Sequence, residues 1–356
     1  MTSPTPHPKP RLRVLVLPGD GIGPEVTDAA IRVLRALVPE VELTYRDVGL
    51  AALASHGIPF EADLLEVARE HDAIVLGAAG GIQDPSTPRE LRPEAALFAL
   101  RSGLDLFTNL RPVTAFDALI SSLPLKEDAV RGTDFLLVRE LTGGLYFGKK
   151  ELGETSAYDT CEYSVDQIRR ILEVAFVHAR ARRGRLASVD KANVLNTGAL
   201  WRRLATELAE ANPEVEVEHL LVDNAAMQLL LRPQSFDVVV TENLFGDILS
   251  DEVSLISGGL GMMPSASLGT DGPVLYEPAH GSAPDIAGRG IANPCAAILS
   301  IAMLLRHTAG SEAAASAVEA AVAAALAAGH RTRDLGGSAT TAEVTEAVLS
   351  RLDPRP

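Results

Sequence analysis

The sequence predicts an α/β protein in two lobes, and three features of the 356-residue chain support this prediction. Short apolar runs alternate with helical segments, which is typical of strands joined by helices in a parallel sheet. The length exceeds what one hydrophobic core usually serves, so two domains are expected. From residue 291 onward the chain is rich in alanine and helix-forming, and no linker precedes it. A domain that the chain leaves and re-enters is as plausible as two domains in tandem.

The elements follow one another in a regular order. Pro24, in "GDGIGP", marks the first turn of a helix that follows the first apolar run. We predict strands over residues 12–17, 41–48, 73–81, 105–113, 134–141, at the start of 186–194, and over 236–241. We predict helices after residue 23 and over 61–71, 93–104, 164–183 and 243–254. Because helices separate most of the strands, the sheet is expected to be parallel.

Charge and composition exclude several classes of function. The net charge of −15 and a pI near 5 disfavour nucleic acid and anionic membranes as partners. No apolar run reaches the roughly 18 residues of a membrane span. Only Cys161 and Cys295 are present, which indicates a reducing cytoplasm without a disulfide framework. Residues 1–10 are rich in proline and lack an apolar core, so we predict a disordered tail rather than a signal peptide.

Three arginines stand near the predicted ends of helices or strands: Arg101, Arg111 and Arg139. A guanidinium group can bind a carboxylate through two parallel hydrogen bonds. A solvated surface arginine is the alternative for each one alone, but Arg111 and Arg139 follow apolar strand residues. Three such groups on an acidic protein would suit a di-acid substrate.

Two further residues are candidates for proton transfer. Lys191 follows an apolar strand, and a partly buried lysine can have a lowered pKa and act as a base. The alternative is a loop lysine paired with Asp190. Tyr146 follows a glycine turn, and its spacing alone favours a packed aromatic over an acid.

Three aspartates predict a divalent cation. Asp247 and Asp251 lie four residues apart on an otherwise apolar helix, so their like charges share one face. Asp223 also follows an apolar strand. Carboxylates without nearby cysteine or histidine suit Mg²⁺ or Mn²⁺. The alternative is that Asp247 merely caps or solvates its helix.

The segment "GDGIGP", with Gly19, Gly21 and Gly23, differs in glycine spacing from the dinucleotide fingerprint G-x-G-x-x-G, and a tight turn between strand and helix is an equal alternative. Longer motifs carry a clear resemblance: "NLRP", "VRELTGGLYFG", "SVDKANVL", "NLFGDILSD", "MMPSASLG" and "HGSAPDIAGRGIANP". From about Leu12 to the C-terminal helices the chain resembles the metal-dependent β-decarboxylating dehydrogenases, the isocitrate/isopropylmalate dehydrogenase family. The segments "RELTGG" and "PSASL" are specific for its isopropylmalate branch.

The resemblance implies the family's two-domain α/β fold, which is not a Rossmann fold. Residues 1–106 and 258–356 would form the cofactor-binding domain, and residues 107–257 a second domain for dimerisation and metal binding. The implied reaction is the NAD-dependent oxidative decarboxylation of (2R,3S)-3-isopropylmalate to 4-methyl-2-oxopentanoate and CO₂, in leucine biosynthesis. Sister enzymes acting on isocitrate, homoisocitrate or tartrate remain alternatives, as does a non-catalytic homologue.

The resemblance also implies roles for single residues. Arg101, Arg111 and Arg139 would hold the malate carboxylates, Tyr146 would donate a proton, and Lys191 would be the catalytic lysine.

The same resemblance assigns the metal to Asp223, Asp247 and Asp251. Lys191 and Asp223 would reach the site from the second subunit of a homodimer, where Asp223 would also contact substrate. The residues that match the family's NAD site are Glu277, His280, Gly281, Ser282, Ala283, Pro284, Asp285, Ile286 and Asn293. Asp285 would receive the adenosine ribose hydroxyls, and Asn293 would belong to the adenine site.

Substrate choice is predicted to depend on the helix that ends near Arg101. Glu94, Leu97 and Phe98 share a helical face with Arg101, so an isopropyl group would meet an apolar wall. Val194 would close the far side from the second subunit, and a plain core stripe is the alternative for Leu97 and Phe98. One departure from the family lies at "GGIQDPSTP", where a Pro-Lys-Trp-type segment is usual.

Overall fold

The computed structural model describes residues 11–81 and 87–352. The tail predicted over residues 1–10, and most of the departure segment after Gly81, lie outside the described residues. The strands are β1 (Arg13–Gly19), β2 (Glu42–Tyr45), β3 (Ala73–Ala78), β4 (Thr108–Thr114), β5 (Asp134–Glu140), β6 (Lys150–Leu152), β7 (Ala157–Asp159), β8 (Arg185–Asp190), β9 (Glu216–Leu221), β10 (Val238–Thr241), β11 (Pro264–Leu268) and β12 (Val274–Pro278). The helices are α1 (Gly23–Leu37), α2 (Leu50–His56), α3 (Leu64–Arg69), α4 (Ala95–Gly103), α5 (Glu127–Val130), α6 (Val165–Ala181), α7 (Asn196–Ala211), α8 (Val222–Leu231), α9 (Asn243–Ser257), α10 (Cys295–His307), α11 (Glu312–Ala327) and α12 (Thr341–Leu349).

One mixed sheet of ten strands organises the described part of the chain. Its order is β2-β1-β3-β12-β11-β4-β5-β10-β8-β9. The two halves are parallel, as the sequence predicts, but the centre is not. Strand β11 runs antiparallel to β12 and β4, and β4 runs antiparallel to β5. The expectation of an all-parallel sheet is therefore wrong at its centre, where β4 and β5 connect without a full crossover helix. Strands β6 and β7 form a separate antiparallel hairpin.

Alternating side chains build hydrophobic cores on both faces of the sheet. On one face Val14 and Val16 join a large cluster that also takes residues from α1, α6, α7, α10 and α11. On the other face the apolar residues divide into two clusters. One lies under α3 and α4, and the other under α8 and α9. The sheet centre on this second face carries the polar side chains of Asn109, Arg111 and Arg139 instead. We call this region between the two clusters the cleft.

The sheet is continuous across the predicted domain boundaries. Strand β11 belongs to the segment after residue 258, yet it pairs with β12 on one side and with β4 on the other. The division into residues 1–106 plus 258–356 and residues 107–257 stays a prediction. None of the described helices is both long enough and apolar enough to cross a membrane.

Candidate active site

The floor of the cleft is polar because β4 and β5 carry Arg111 and Arg139 on the same face of the sheet. The antiparallel register sets Asn109 opposite Arg139, with Arg111 two residues further along β4. Both arginines are buried, with 6% and 2% of their surface exposed. Arg111 donates to Asn109 Oδ1 at 2.8 Å and to Ser250 Oγ at 2.7 Å. Burial, then the charge of Arg139, lowers the pKa of Arg111 to about 10, so it remains charged at neutral pH.

Arg139 joins α9 to the predicted proton donor. Its Nε donates to the backbone oxygen of Asn243, and its Nη2 donates to Asn243 Oδ1, both at 2.9 Å. Its Nη1 donates to Asp247 Oδ1. The other carboxylate oxygen of Asp247 accepts a hydrogen bond from the Tyr146 hydroxyl at 2.6 Å. Burial alone would raise the pKa of Asp247, but the charge of Arg139 and the Tyr146 hydrogen bond bring it below its ordinary value. Gly246 leaves room for this arginine, because a Cβ there would lie 2.6 Å from Arg139 Cγ.

The aspartates of α9 have arginine neighbours as well as each other. Asp251 Oδ1 lies 3.9 Å from Arg111 Nη1, and its side chain is 60% exposed. Burial raises the pKa of Asp251; the charge of Arg111 opposes this rise and that of Asp247 adds to it. Within residues 11–81 and 87–352, no cluster of three or more His, Cys, Asp or Glu could hold a metal ion. A single chain thus presents two of the three predicted metal carboxylates in the cleft.

Arg101 enters the cleft from the last turn of α4. Its Nη2 donates to Glu277 Oε1 at 2.8 Å, and both side chains are buried. Its Nε is buried without a hydrogen-bond partner, which leaves one donor for another group. The sequence assigns Arg101 to substrate and Glu277 to cofactor. Their contact means that the two predicted sites adjoin each other.

Lys191 and Asp223 form a separate pair just after β8 and the edge strand β9. Lys191 Nζ donates to Asp223 Oδ1 at 2.5 Å, and this hydrogen bond lowers the pKa of Asp223. Asp190 is paired with Arg202, not with Lys191, so the loop pairing considered from the sequence is wrong. Asp223 lies in the first turn of α8, and Val194 is 69% exposed. These groups are available to a second molecule.

A cavity of about 840 Å³ opens beside Tyr146. Glu94 and Phe98 line it together with Tyr146 and Phe147, and the Phe98 and Phe147 rings meet edge to face with centroids 6.4 Å apart. Leu97 is half-buried and packs against the α4 core, and it does not line this cavity. The predicted face of α4 is therefore divided between cavity and core. Helix α4 begins at Ala95 and ends at Gly103, within the predicted bounds of 93–104 and two residues beyond Arg101.

A larger cavity, of about 1150 Å³, lies among α6, α10 and α11. None of the site residues predicted from the sequence lines it. The smaller cavity is the better candidate for substrate, because three of the predicted site residues, Glu94, Phe98 and Tyr146, line it.

The predicted cofactor segment runs from β12 to α10 without regular structure. Its start is anchored where Ile22 N donates to the Ser282 backbone oxygen at 2.8 Å. Gly281 has open space where a Cβ would stand, and Ala283 has a positive φ of 40°. His280 Nε2 is buried without a partner, and burial lowers the His280 pKa. This loop therefore combines an open backbone surface with an unused polar atom.

The other predicted cofactor residues differ in their exposure and in the hydrogen bonds that they already make. Asp285 and Pro284 are exposed, and Ile286 is half-buried. Asn293 is already engaged, because its Nδ2 donates to Asp334 at 3.0 Å and its Oδ1 accepts from Cys295 N at 3.0 Å. A contact from the Asn293 side chain would have to replace one of these bonds.

Several residues of the site are absent from the sequence-based set. Asn243 and Asn109 hold the two buried arginines, and Asp20 holds the backbone of two loops in place. Asp20, in "GDGIGP", is buried and accepts from Leu50 N at 2.7 Å and from Gly80 N at 3.0 Å. Asn243 could have been found as the polar residue that begins "NLFGD", and Asn109 as the polar residue two positions before Arg111. Asp20 could not, because its partners lie 30 and 60 residues away in sequence.

The fold and the cleft, in which buried arginines lie beside aspartates, are those of an α/β enzyme. Comparisons with known proteins specify this class. The sequence pattern of the family described as isocitrate/isopropylmalate dehydrogenase matches residues 13–348. The chain is 54% identical over 335 residues to the 3-isopropylmalate dehydrogenase of Geobacillus kaustophilus, covering 92% of this chain and 90% of that one. It is 52% identical over 353 residues to that of Bacillus licheniformis, covering 96% and 95%.

A solved structure agrees with these relatives. The isocitrate dehydrogenase of Methylococcus capsulatus superposes with a TM-score of 0.87 at 34% identity, covering 96% of this chain and 99% of that one. The chain therefore belongs to the isocitrate/isopropylmalate dehydrogenase family. The family resemblance and the fold class predicted from the sequence are confirmed.

Proposed function

We propose that the chain catalyses the NAD-dependent oxidative decarboxylation of (2R,3S)-3-isopropylmalate to 4-methyl-2-oxopentanoate and CO₂, a step in leucine biosynthesis. The observation that carries this proposal is the meeting of two buried arginines, Arg111 and Arg139, with Tyr146 and Asp247 in one cleft. The level of identity to 3-isopropylmalate dehydrogenases, 54% over 335 residues, supports the same substrate.

The arginines bind and orient the substrate. Arg111, Arg139 and Arg101 hold the two malate carboxylates, because guanidinium groups in a buried cleft form strong paired hydrogen bonds to carboxylates. The unused Nε of Arg101 supplies one such donor. Lys191 of a second copy takes the proton of the 2-hydroxyl, directly or through a relay, while hydride leaves C2.

Tyr146 supplies the proton that ends the reaction. Loss of the β-carboxylate as CO₂ leaves an enol whose C3 must be protonated. Burial, followed by the hydrogen bond to Asp247, raises the pKa of Tyr146, so the phenol keeps its proton at neutral pH. A phenol that is protonated and held at the cleft can serve as this acid.

The carboxylates fit a hard divalent cation. Asp247 and Asp251 offer only oxygen donors, the ligands that Mg²⁺ and Mn²⁺ prefer. We assign the metal to these two side chains together with Asp223 of a second copy. When bound, the cation would acidify the 2-hydroxyl and stabilise negative charge on the neighbouring oxygen.

The segment after β12 fits a nucleotide. The orphaned Nε2 of His280 and the open surface at Gly281 can receive its polar groups. The exposed carboxylate of Asp285 can accept hydrogen bonds from ribose hydroxyls but would repel a 2′-phosphate. We therefore assign NAD⁺, rather than NADP⁺, as the hydride acceptor.

A homodimer would complete the site. Lys191 and Asp223 pair with each other away from the Arg139–Asp247 cluster. Helices α8 and α9 pack together and expose apolar side chains, among them Leu231 at 69%. Such a surface on a protein otherwise rich in charge is typical of a subunit contact.

Mixing inactive variants tests this sharing of the site. Lys191→Ala and Tyr146→Phe, refolded together, should form heterodimers with one intact site, and a 1:1 mixture should recover about one quarter of wild-type sites. The control pairs Tyr146→Phe with Arg139→Lys, which damage the same half-site and should recover nothing. Recovery in neither mixture would place Lys191 in its own chain's site.

The substrate assignment has a direct assay. Wild-type protein with NAD⁺ and Mg²⁺ should form NADH and CO₂ with 3-isopropylmalate at least about 100-fold more efficiently, in kcat/KM, than with isocitrate or homoisocitrate. Leu97→Ser should narrow this ratio if Leu97 shapes the pocket, and leave it unchanged if Leu97 is core. Equal efficiency with isocitrate would move the chain to the sister activity. No NADH with any 2-hydroxy di-acid would indicate a non-catalytic homologue.

The cellular setting follows from composition. Cys161 and Cys295 are free thiols, which suits a reducing cytoplasm. The net charge of −15 disfavours nucleic acid and anionic membranes as partners. We assign the protein to the cytoplasm on these grounds.

A further inference from the structure

A buried carboxylate outside the proposed chemistry stands directly beside Arg139. Glu140 ends β5 and has no exposed surface. Its Oε1 accepts from the backbone N and the hydroxyl of Thr142, at 2.9 and 3.0 Å. Its Oε2 accepts from Gly143 N at 2.8 Å and from the Tyr163 hydroxyl at 3.1 Å. Four donors thus converge on one carboxylate and fix the turn that follows the strand.

This turn delivers Tyr146 to the cleft. Gly144 has a positive φ of 66°, and a Cβ there would lie 2.6 Å from the Tyr163 hydroxyl. The chain is therefore wrapped tightly onto Tyr163 before the short helical turn Gly144–Tyr146 begins. As a result the Tyr146 ring stands beside Arg139, with its centroid 5.5 Å from the guanidinium carbon.

A second path of hydrogen bonds leads from Glu140 to Arg139 itself. The Tyr163 hydroxyl accepts from Asn243 N at 3.1 Å, and Asn243 holds the Arg139 guanidinium. Asn243 Nδ2 also donates to the Gly143 backbone oxygen at 3.3 Å, which closes the ring. The substrate-binding arginine and the proton donor therefore share one buried support.

We propose that Glu140 is a positioning residue for Tyr146, acting through the turn at residues 141–144, in the reaction proposed above. The alternative is that Glu140 only stabilises the fold. The two differ in what a substitution changes: a positioning residue acts on the proton transfer at Tyr146, whereas a purely structural residue changes stability alone.

The test uses Glu140→Gln, which keeps the size of the side chain but turns one acceptor oxygen into a donor that faces other donors. Proton transfer is followed as deuterium exchange at C3 of 4-methyl-2-oxopentanoate in D₂O, by ¹H NMR, with Mg²⁺ and NADH present. In this exchange the Tyr146 phenol first releases its proton to solvent. Its oxygen then takes the proton as the C3–H bond breaks and the electron pair moves to the C2 oxygen, and after exchange with solvent a deuteron returns to C3. We expect exchange to fall at least about 10-fold, while the KM for 3-isopropylmalate changes less than about 3-fold.

A double-mutant cycle separates positioning from general damage. Combined with Tyr146→Phe, Glu140→Gln should lower the residual exchange by less than about 2-fold, because the group that it positions is already gone. An equal fall with and without Tyr146→Phe overturns the proposal, as does wild-type exchange in Glu140→Gln alone.

Two further arms keep the outcome decisive. If Glu140→Gln does not fold, Thr142→Val removes one donor to Glu140 Oε1 and is placed in the same cycle, with a fall of about 2- to 5-fold expected. If the effects of Thr142→Val and Tyr146→Phe on the exchange rate are additive, the proposal is overturned as well. Wild-type protein that forms no NADH from 3-isopropylmalate would refute the proposed function, whereas an active wild type with additive variants refutes only the role of Glu140.

Discussion

Replacing Gly246 by alanine tests whether α9 sets the position of Arg139. A Cβ at residue 246 would lie 2.6 Å from Arg139 Cγ and 2.9 Å from Arg139 Cβ. Both distances are shorter than the roughly 3.5–4 Å of an ordinary carbon contact, so the arginine or the helix must move. In an exposed helix the same change would stabilise the protein by about 1 kcal/mol, because alanine is the better helix former. Here overpacking, at about 1–3 kcal/mol, opposes that gain.

Activity should respond more strongly than stability. Arg139 would give up part of its bonding to Asn243 and Asp247, and one hydrogen bond to a charged group contributes about 1.5–3 kcal/mol. We therefore expect kcat/KM for 3-isopropylmalate to fall about 10- to 100-fold, while the free energy of unfolding falls by no more than about 2 kcal/mol.

The assay pairs steady-state kinetics with thermal unfolding, and Arg139→Ala provides the matched background. Arg139→Ala keeps the Cβ at 2.9 Å, but it leaves no guanidinium for Gly246→Ala to misplace, so the further effect on the dissociation constant of the hydroxy acid should be under about 2-fold. Wild-type kinetics in Gly246→Ala would show that the helix absorbs the methyl group without moving Arg139.

Three other outcomes are expected. Excess EDTA should abolish NADH formation and added Mg²⁺ or Mn²⁺ should restore it, because the cleft carboxylates otherwise lack their cation; full activity in EDTA would contradict the metal assignment. Asp285→Asn should narrow the preference for NAD⁺ over NADP⁺, which is expected to be at least about tenfold in the wild type, and an unchanged kcat/KM ratio would remove Asp285 from the ribose site. Burial, then the charges of His178 and Arg306, lowers the pKa of His307 from 6.5 to about 4. The unfolded chain thus binds a proton that the folded protein excludes, so stability falls as the pH drops from 6.5 toward 4. His307→Gln should flatten this fall in thermal midpoints measured at pH 7 and pH 5, and an equally steep fall would contradict the shift.

Much of the fold can be predicted from the sequence, because buried strands are continuous apolar runs. The runs at 12–17, 73–81, 134–141 and 236–241 all contain strands of the sheet. The direction of the central strands could not be obtained in this way, since a strand's pattern shows which face is buried but not which neighbour it pairs with. Strand β11, between β12 and β4, begins 150 residues after the end of β4. The hairpin of β6 and β7 is exposed and short, so it has almost no apolar signal.

Some residues of the candidate site can be predicted from the sequence, and others cannot. Charged residues that follow apolar runs, such as Arg139 and Asp247, can be found because a charge beside a buried strand needs a partner. Their partners cannot be found so easily, since Asn243 and Ser250 are ordinary polar residues within a helix. Lys191 and Asp223 pose a different problem: their pairing within one chain says nothing about which copy of the cleft they serve. That information lies in the assembly and not in the chain.

The charges of the cleft indicate that the di-acid and the cation bind together. Three ion pairs lie there: Arg101 with Glu277, Arg111 with Asp251, and Arg139 with Asp247. The charges of this set of side chains cancel. A dianion alone would leave it with two excess negative charges, and a divalent cation alone with two positive ones, both poorly screened at a partly buried site. Bound together they restore neutrality, and the Lys191–Asp223 pair of a second copy adds none. Each ligand should therefore tighten the binding of the other by the same factor. Calorimetric titration of 3-isopropylmalate with and without Mg²⁺ measures this coupling, and equal dissociation constants would show that the arginines alone set the affinity.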